Sequence, residues 1–381
     1  MKSSTDRILT THVGSLPRNA AVTDGIFAIE REETIDLDAH HRNIHEAVDA
    51  VVKRQVAAGI DVVSDGEMGK LSYATYIKDR ISGFAGDSPR RAPKDLEQFP
   101  SFLERQSKSG GTPTYRRPKC VGPIEVTSME PCNRDVVTMQ SAAAEHQPVD
   151  VFMNSASPGV IALFQPNEYY PSHEEYLGAL ANAMRAEYEA IVAAGFILQL
   201  DSPDLGLGRH MMFKDDADDV YENLANLHVE ALNEAVRNIP ADRMRLHICW
   251  GNYEGPHTCD APMSQVLPIA LRAKPQALLF ENANPRHAHE WQVFANTKIQ
   301  DDKILVPGVL DTTTHFVEHP ELIAQRIEQF ARIVGRERVM AGTDCGFSTF
   351  AGYPGIDTEI VYAKFAAMAE GAAIASSHLW P

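Results

Sequence analysis

The chain of 381 residues is acidic, with a formal net charge of −17, and 44% of its residues are hydrophobic. The apolar content is that of a globular protein with a sizeable core, and the length suits either two ordinary domains or one large barrel with insertions. The negative charge argues against nucleic acids and anionic membrane surfaces as partners.

The N-terminal segment and the cysteines bear on where the protein works. The first residues lack the apolar core of a signal peptide, and no apolar run is long enough to span a bilayer. The five cysteines are widely scattered and do not form the pattern of a disulfide framework. We therefore expect a cytoplasmic protein whose cysteines are structural, metal-binding or reactive.

Eight strand-like apolar segments alternate with helical patterns along the chain. The first helix has Ile44, Val48 and Val51 on one face and ends at Gly59. A later, long amphipathic helix begins with the capping box Ser172–Glu175. The predicted strands cover residues 8–15, 61–67, 149–153, 196–201, 245–250, 277–281, 303–309 and 338–343.

This alternation predicts an α/β fold in which residues 1–381 form a single (β/α)₈ TIM barrel, in preference to two doubly wound sheets. Residues from about 68 to 145 differ, because they are rich in Pro, Gly, Arg and Lys and contain one strand-like piece at 119–126. We predict that they form a long excursion between strands 2 and 3, contain a hairpin and cover one mouth of the barrel. The sequence is compatible with a homo-oligomer.

Polar residues gather where the predicted strands end, which is the rim that carries the chemistry in such barrels. They lie at or just past the carboxyl ends of their strands: Ser15, Glu67, Asp201, His247, Cys249, Glu281, Asp311 and Cys345.

Four of these residues predict a zinc site. Successive side chains of a strand point to opposite faces, so His247 and Cys249 project to the same side. Glu281 and Cys345, at the ends of two later strands, complete a tetrahedral set of the ligand types that zinc prefers. A competing pair, His257 and Cys259, has the same spacing but lies in a Gly/Pro loop, so we favour the strand pair.

A closed four-ligand zinc site is usually structural, and this alternative stays open. Structural sites tend to be local in sequence, however, whereas these ligands come from three distant strands. A zinc ion at the rim can bind an incoming thiol, lower its pKa and make it nucleophilic at neutral pH. The chemistry implied is alkyl transfer to sulfur.

The remaining rim residues suit a small polar substrate. Glu67 and Asp201 can pair with an ammonium group, although ion pairs to Arg18, Lys70 or Arg209 are the alternative. Ser15, after Gly14, can offer its hydroxyl and backbone N–H to a carboxylate; the alternative is that the two residues only form a turn. Asp311 and His315 bound a polar cluster suited to proton handling. A solvated surface is expected for His40, His41 and His45, and a loop surface or a helix start for His287 and His289.

These residues resemble the catalytic C-terminal barrel of the cobalamin-independent methionine synthase family over nearly the whole chain. The motifs that carry the resemblance are Thr11–Arg18, Asp65–Glu67, Leu200–Pro203, His247–Cys249, Glu281, Gly308–Asp311 and Thr343–Gly346. The resemblance implies zinc on His247, Cys249, Glu281 and Cys345. It also implies homocysteine held by Val13, Gly14, Ser15, Glu67 and Asp201.

The sequence departs from the family where the methyl donor binds. Ser202 replaces a Glu, and the acidic residue that helps to hold folate aligns with Leu207. The pterin-supporting Trp aligns with Leu163 or Phe164. The proton-donating His aligns with Thr313, so His315 is the candidate substitute.

The expected partners are a small-molecule thiol and an alkyl donor. Homocysteine S-methylation that gives methionine, with methyl-folate or another donor, is the leading hypothesis. Single-barrel relatives of this family include enzymes that open an epoxide with coenzyme M, which is the second hypothesis. A non-catalytic metal-binding barrel is the third.

Overall fold

The computed structural model describes residues 1–89, 92–108, 115–353 and 355–381. Its main feature is a curled, seven-stranded parallel sheet with the order β1-β4-β5-β6-β7-β8-β9, beside a two-stranded antiparallel sheet of β2 and β3. The strands are β1 Val62–Val63, β2 Phe84–Ala85, β3 Lys119–Cys120, β4 Asp150–Ala156, β5 Ile197–Asp201, β6 Met244–His247, β7 Ala277–Phe280, β8 Ile304–Leu310 and β9 Gly342–Thr343.

The N-terminal segment reaches both edges of this sheet. Thr11 forms an isolated parallel bridge with Val62 of β1, and Thr10 forms one with Ala341, next to β9. The predicted first strand, 8–15, is therefore reduced to these two bridges. The second predicted strand is also short, because Gly66 and Glu67 adopt left-handed φ angles of 66° and 57° that turn the chain out of the sheet.

Helices alternate with the parallel strands, as predicted. The capping box is confirmed, since the Ser172 hydroxyl accepts a hydrogen bond from the Glu175 N–H at 3.1 Å. The α-helices are α1 Ala20–Glu30, α2 Leu37–Ala57, α3 Lys94–Glu97, α4 Pro100–Lys108, α5 Glu130–His146, α6 Pro158–Phe164, α7 His173–Ala193, α8 Gly208–Met211, α9 Asp218–Ala235, α10 Met263–Ala270, α11 Trp291–Ala295, α12 Pro320–Val334 and α13 Thr358–Leu379.

The two faces of the parallel sheet bury two separate apolar clusters. Alternate strand residues belong to different clusters: Leu198 and Leu278 pack towards the helices, whereas their neighbours Ile197 and Leu279 pack on the opposite, concave face. Leu9 and Val13 of the N-terminal segment join the concave cluster. The bridging segment is thus part of the interior of the curled sheet.

Within the segment 68–145, α3 packs onto the loop that follows β6. Buried Asp95 of α3 accepts hydrogen bonds from the Tyr253 hydroxyl at 2.9 Å and from the His257 N–H at 2.8 Å. Within the segment, β2 pairs with β3, and Ile81 forms an antiparallel bridge with Val126.

No helix among the described residues has the length and apolar character needed to cross a membrane. His40 corrects a prediction: it lies on α2 as expected but is buried. Its ring packs beside Gly25 of α1, at a point where a Cβ would lie 2.1 Å from the imidazole Nδ1.

Candidate metal and substrate site

Three of the predicted metal-binding residues converge at the carboxyl end of the sheet. The ligand atoms of His247, Cys249 and Cys345 all lie within 4.8 Å of one another, and all three side chains are buried. We call these three residues the ligand group. His247 ends β6, and the ladder continues through Ile248, whose N–H binds the Leu279 carbonyl at 2.9 Å, so that Cys249 projects to the same side as His247.

The two sulfurs of the ligand group suit a soft divalent cation. Cys249 and Cys345 are free cysteines whose Sγ atoms are 3.5 Å apart. The hydrogen bond with Cys345, burial and the nearby Glu281 carboxylate raise the pKa of the Cys249 thiol well above its usual value. A bound divalent cation would oppose this effect and stabilise both thiolates.

His247 brings a ring nitrogen without a hydrogen-bond partner to the same place. Its Nδ1 lies 3.2 Å from Asp201 Oδ1, while its Nε2 is buried with no hydrogen-bond partner in the structure. A buried nitrogen without a partner is costly unless a ligand uses it. One imidazole nitrogen and two thiolates fit a zinc ion and leave a fourth position for another donor.

Glu281, the fourth predicted ligand, is not part of the ligand group in the described chain. Its Oε1 accepts the Trp250 N–H at 2.8 Å, and its Oε2 accepts the Asn284 amide at 2.8 Å. The carboxylate is nevertheless buried and acts electrostatically on Cys249. The structure therefore gathers three of the four predicted ligands and holds Glu281 beside them through hydrogen bonds.

Asp344 fixes the loop that carries Glu281. Its Oδ1 accepts the N–H groups of Asn282 and Ala283 at 2.7 and 2.8 Å, and its Oδ2 accepts the Asn284 N–H at 2.8 Å. No role for Asp344 is predicted from the sequence, although it lies in the Thr343–Gly346 motif. Its position next to Cys345 was the available signal.

The predicted substrate residues line the same end of the sheet. Ser15 is buried against the loop after β9, because its carbonyl accepts the Phe347 N–H at 2.8 Å. Gly346 is required there, since a Cβ would lie 2.0 Å from the Ser15 hydroxyl. Val13 is tied to the strand end by its N–H, which donates to the Thr343 hydroxyl at 3.1 Å.

Glu67 has an unpaired carboxylate oxygen at this site. Its Oε2 is buried without a hydrogen-bond partner, and burial raises the pKa of the group to about 7 even though Lys70 and Arg18 oppose the shift. Neither cation forms an ion pair with it: Arg18 donates to the Glu67 backbone carbonyl at 2.7 Å, and Lys70 donates to the Asn154 carbonyl at 2.6 Å. Arg209, the third predicted alternative, binds Asp218 instead.

Asp201 ends β5 and is buried between neighbouring polar side chains. Its Oδ1 accepts the Gln199 amide at 2.8 Å and faces His247, while its Oδ2 accepts the Asn154 amide at 3.0 Å. Asp201, which is predicted to bind the substrate ammonium group, therefore also contacts the predicted metal ligand His247.

The two residues proposed for proton handling differ in exposure. Asp311 is buried and binds the Thr313 N–H and the Thr314 hydroxyl at 2.8 and 2.9 Å. His315 is exposed on the loop that follows. The structure does not bring the His315 ring into the ligand group.

The competing pair His257 and Cys259 belongs to a different arrangement, in which three imidazoles surround the buried Asp260 carboxylate. The ring nitrogens of His210, His257 and His287 lie 3.3, 3.0 and 2.9 Å from it. We call these four residues the Asp260 cluster. His287 corrects the prediction of a surface position, because it is buried, and Asp260 and Glu290 raise its pKa to about 10 against the effect of burial.

A further group of possible ligands lies near the surface, at Asp49, Glu145 and His146. The His146 Nε2 there already binds Asp49 at 2.7 Å. Unlike the ligand group, it has no thiol.

Comparison with known proteins identifies the family. The family model described as "Cobalamin-independent synthase, Catalytic domain" matches residues 8–91 and 168–368. The chain therefore belongs to the cobalamin-independent synthase family. The stretch between the two matched segments contains most of the excursion and β4.

Individual relatives match along almost the whole chain. The methionine synthase of Saccharolobus solfataricus is 27% identical over 376 residues, which cover 97% of this chain and 95% of the relative. The methionine synthase of Sulfurisphaera tokodaii is 23% identical, with 97% and 93% covered.

Solved structures show the same fold. A B12-independent methionine synthase from Shewanella sp. W3-18-1, in complex with selenomethionine, superposes with a TM-score of 0.74 at 18% identity, covering 98% of this chain and 99% of that one. A putative vitamin-B12-independent methionine synthase from Listeria monocytogenes gives a TM-score of 0.67 at 19% identity, with both chains covered completely.

Proposed function

We propose that the chain is a zinc-dependent S-methyltransferase that methylates the sulfur of homocysteine and so forms methionine. The observation that carries the proposal is the ligand group, in which one imidazole nitrogen and two thiols lie within 4.8 Å at the carboxyl end of a parallel sheet. Relatives that are called methionine synthases and match over more than nine-tenths of both chains give independent support.

The metal would be held by His247 Nε2 and by the sulfurs of Cys249 and Cys345. Glu281, hydrogen-bonded beside them, is the proposed fourth ligand. When bound, zinc lowers the pKa of a coordinated substrate thiol and so supplies a nucleophilic sulfur at neutral pH.

The chain's own residues hold the amino acid that carries this thiol. Glu67 and Asp201 supply carboxylates for its ammonium group, and the unpartnered Glu67 Oε2 suits such a donor. Val13, Gly14 and Ser15 would receive its carboxylate. Because these residues are buried, they exclude water and strengthen each electrostatic contact.

We assign the proton that the departing donor needs to the segment that contains Asp311 and His315. This segment is linked to the Cys345 loop through the Asn252 side chain, whose Oδ1 accepts the Thr312 hydroxyl at 2.9 Å and whose Nδ2 donates to the Gly346 carbonyl at 2.6 Å. The connection supports a place for both residues on the same rim.

The fold proposed for the whole chain is a single-domain (β/α)₈ barrel over residues 1–381, which the Thr10–Thr11 bridges would close, with 68–145 as the excursion over one mouth. We further propose a cytoplasmic location, since reduced cysteines are required. Methyl-folate, or another methyl donor, is the proposed second substrate. Epoxide opening with coenzyme M ranks second, because a sulfonate lacks the ammonium group that two buried carboxylates suit.

The test is to load the purified, reduced protein with zinc, measure the bound metal, and assay two reactions in parallel. The first is methionine formation from homocysteine with methyl-folate or methyl-corrinoid as donor, and the second is hydroxyalkyl thioether formation from a thiol and an epoxide. We expect one zinc per chain and homocysteine-dependent turnover. A protein that stays metal-free after loading would overturn the proposal. Thiol adducts formed only with epoxides would favour the second function, and zinc binding without turnover on any donor would favour the non-catalytic barrel.

A further inference from the structure

A polar layer lies directly beneath the proposed site. In the parallel pairing, Asn154 of β4 is opposite Gln199 of β5, and Gln199 is opposite Arg245 of β6. Two residues along, Asp201 is opposite His247. Interior layers of such sheets are dominated by branched aliphatic residues, so three adjacent polar side chains call for an explanation.

The hydrogen bonds of this layer fix the direction of both amides. The Arg245 guanidinium is fully buried and can only donate, so its Nε–H, 2.7 Å from Gln199 Oε1, sets which atom of that amide is the oxygen. The Gln199 NH₂ group must then face Asp201. The Asn154 NH₂ group likewise faces two atoms that can only accept, Asp201 Oδ2 at 3.0 Å and the Val13 carbonyl at 2.9 Å.

Both amides use their second N–H in the same way. The Gln199 Nε2 donates to the Val13 carbonyl as well as to Asp201 Oδ1. One carbonyl and one carboxylate are therefore each held by both amides. Val13 begins the Val13–Ser15 segment proposed to bind the substrate carboxylate, and Asp201 is proposed to bind its ammonium group.

The orientation of His247 follows from this arrangement. With an amide N–H on each oxygen, Asp201 remains an acceptor towards His247, at 3.2 Å from its Nδ1. The Nδ1–H must then be donated to Asp201, which directs Nε2 to the two sulfurs. Partners of this kind fix the ring orientation of metal-binding histidines and raise their affinity for the metal.

We infer that Asn154, together with Gln199 as oriented by Arg245, positions both sites and couples the metal site to the substrate site. They hold Asp201, the Val13–Ser15 segment and the His247 ring as one unit. Metal affinity and the KM for the thiol substrate are therefore expected to change together. This inference rests on the proposed function.

The substitution Gln199→Glu tests it, because it keeps the acceptor for Arg245 but replaces the N–H groups that bind Asp201 and Val13 with a second oxygen. We expect zinc affinity, measured by chelator competition, to fall by about 10–100-fold. The KM for homocysteine should rise by about tenfold or more, with a smaller change in kcat. The ¹⁵N spectrum of labelled histidine in the zinc-loaded protein should lose the Nδ1-protonated, Nε2-coordinated form of one ring.

Gln165→Glu is the matched control. Gln165 is equally buried, but its amide donates to the Ala74 carbonyl at 3.1 Å, outside the polar layer. It should leave zinc affinity unchanged. If Gln199→Glu fails to fold, Asn154→Asp removes the other amide and carries the same expectation.

The outcomes separate this inference from the proposed function. If the unsubstituted chain binds no zinc and forms no methionine, the proposed function itself fails. If the unsubstituted chain binds zinc and forms methionine, and Gln199→Glu and Asn154→Asp have the same zinc affinity and KM as that chain, only the inference is overturned. A lower melting temperature in both variants with unchanged zinc affinity and KM would likewise overturn it, because it would show a purely structural role.

Discussion

The ligand group and the Asp260 cluster are built from similar residue types yet differ in what their polar atoms face. In the ligand group, His247 Nε2 has no partner and the two sulfurs face each other 3.5 Å apart. In the Asp260 cluster, His257 and His287 hydrogen-bond to one central carboxylate, and His210 Nδ1 lies 3.3 Å from the same carboxylate without a hydrogen bond. The comparison shows that the proposed metal site brings an imidazole and two sulfurs together with no carboxylate between them, whereas a carboxylate among the rings makes a buried ion cluster.

The largest effect is expected from Cys249→Ser or Cys345→Ser. Either change replaces a soft thiolate with a hydroxyl, so zinc affinity should fall and turnover should be lost. Changes to residues that only support metal ligands lower metal affinity by about 10–100-fold, so loss of a ligand should lower it by at least about 100-fold. Metal content and methionine formation measure this.

Cys259→Ser is the control for these variants, because Cys259 adjoins the Asp260 cluster. Its sulfur accepts the Gln98 amide at 3.2 Å. If Cys259→Ser loses zinc while Cys249→Ser and Cys345→Ser keep it, the metal binds beside Cys259 and the ligand group is not the metal site.

Asp260→Asn should break the other cluster without emptying the metal site. Removing the central charge leaves the buried His257 ring without its carboxylate partner and leaves His287 with Glu290 alone, which costs about 3 kcal/mol of unfolding free energy. Urea denaturation measures the loss, with the exposed Asp215→Asn as the control. If Asp260→Asn lost zinc but kept its unfolding free energy, Asp260 would serve the metal site and would not hold a separate stabilising ion cluster.

The Asp260 cluster also predicts how stability depends on pH. Although burial opposes it, Asp260 raises the pKa of His257 to about 9, and Asp260 with Glu290 raises that of His287 to about 10. The unfolded pKa is about 6.5. Their stabilisation is thus fully present below pH 6.5 and is lost as pH rises through 9 to 10.

We therefore expect the unfolding free energy of the zinc-loaded protein to fall between pH 7 and 10, by up to about 1.4 kcal/mol per pH unit for each histidine. Urea titrations at several pH values measure the slope, which should be flatter in Asp260→Asn. An equal slope in both proteins would contradict the assigned ion pairs.

The smallest effect is expected at His315, a histidine outside both clusters. If it donates the proton to the leaving group, His315→Ala should lower kcat by about tenfold, below the usual range because solvent reaches the exposed ring. The exposed His289→Ala is the control. An unchanged kcat would show that another acid protonates the leaving group.

The sequence predicted the alternation of strands and helices well, because strand and helix periodicities differ and caps such as Ser172 mark the ends. It predicted His247 and Cys249 together because two residues of one strand have a known relative direction. It could not predict that Glu281 hydrogen-bonds to Trp250 and Asn284, since those contacts come from loop conformation. The burial of His40 and His287 was missed because it depends on contacts with Gly25 and Asp260, which the sequence around each histidine does not reveal.

The contact between the first and last parts of the sheet has a consequence for the order of folding. The Thr11 N–H binds the Ala341 carbonyl at 2.8 Å, and the Ala341 N–H binds the Leu9 carbonyl at 2.9 Å, so groups about 330 positions apart must meet before this seam exists. The Val13–Ser15 segment and Cys345 both adjoin the seam. Contacts between such distant residues form late, since the entropy of closing the intervening chain opposes them. A nascent chain can therefore hold the proposed metal ion only when its first and last sheet segments have joined. Fragments that end before residue 338 lack both Ala341 of the seam and Cys345, so they should not bind it however well the rest is folded.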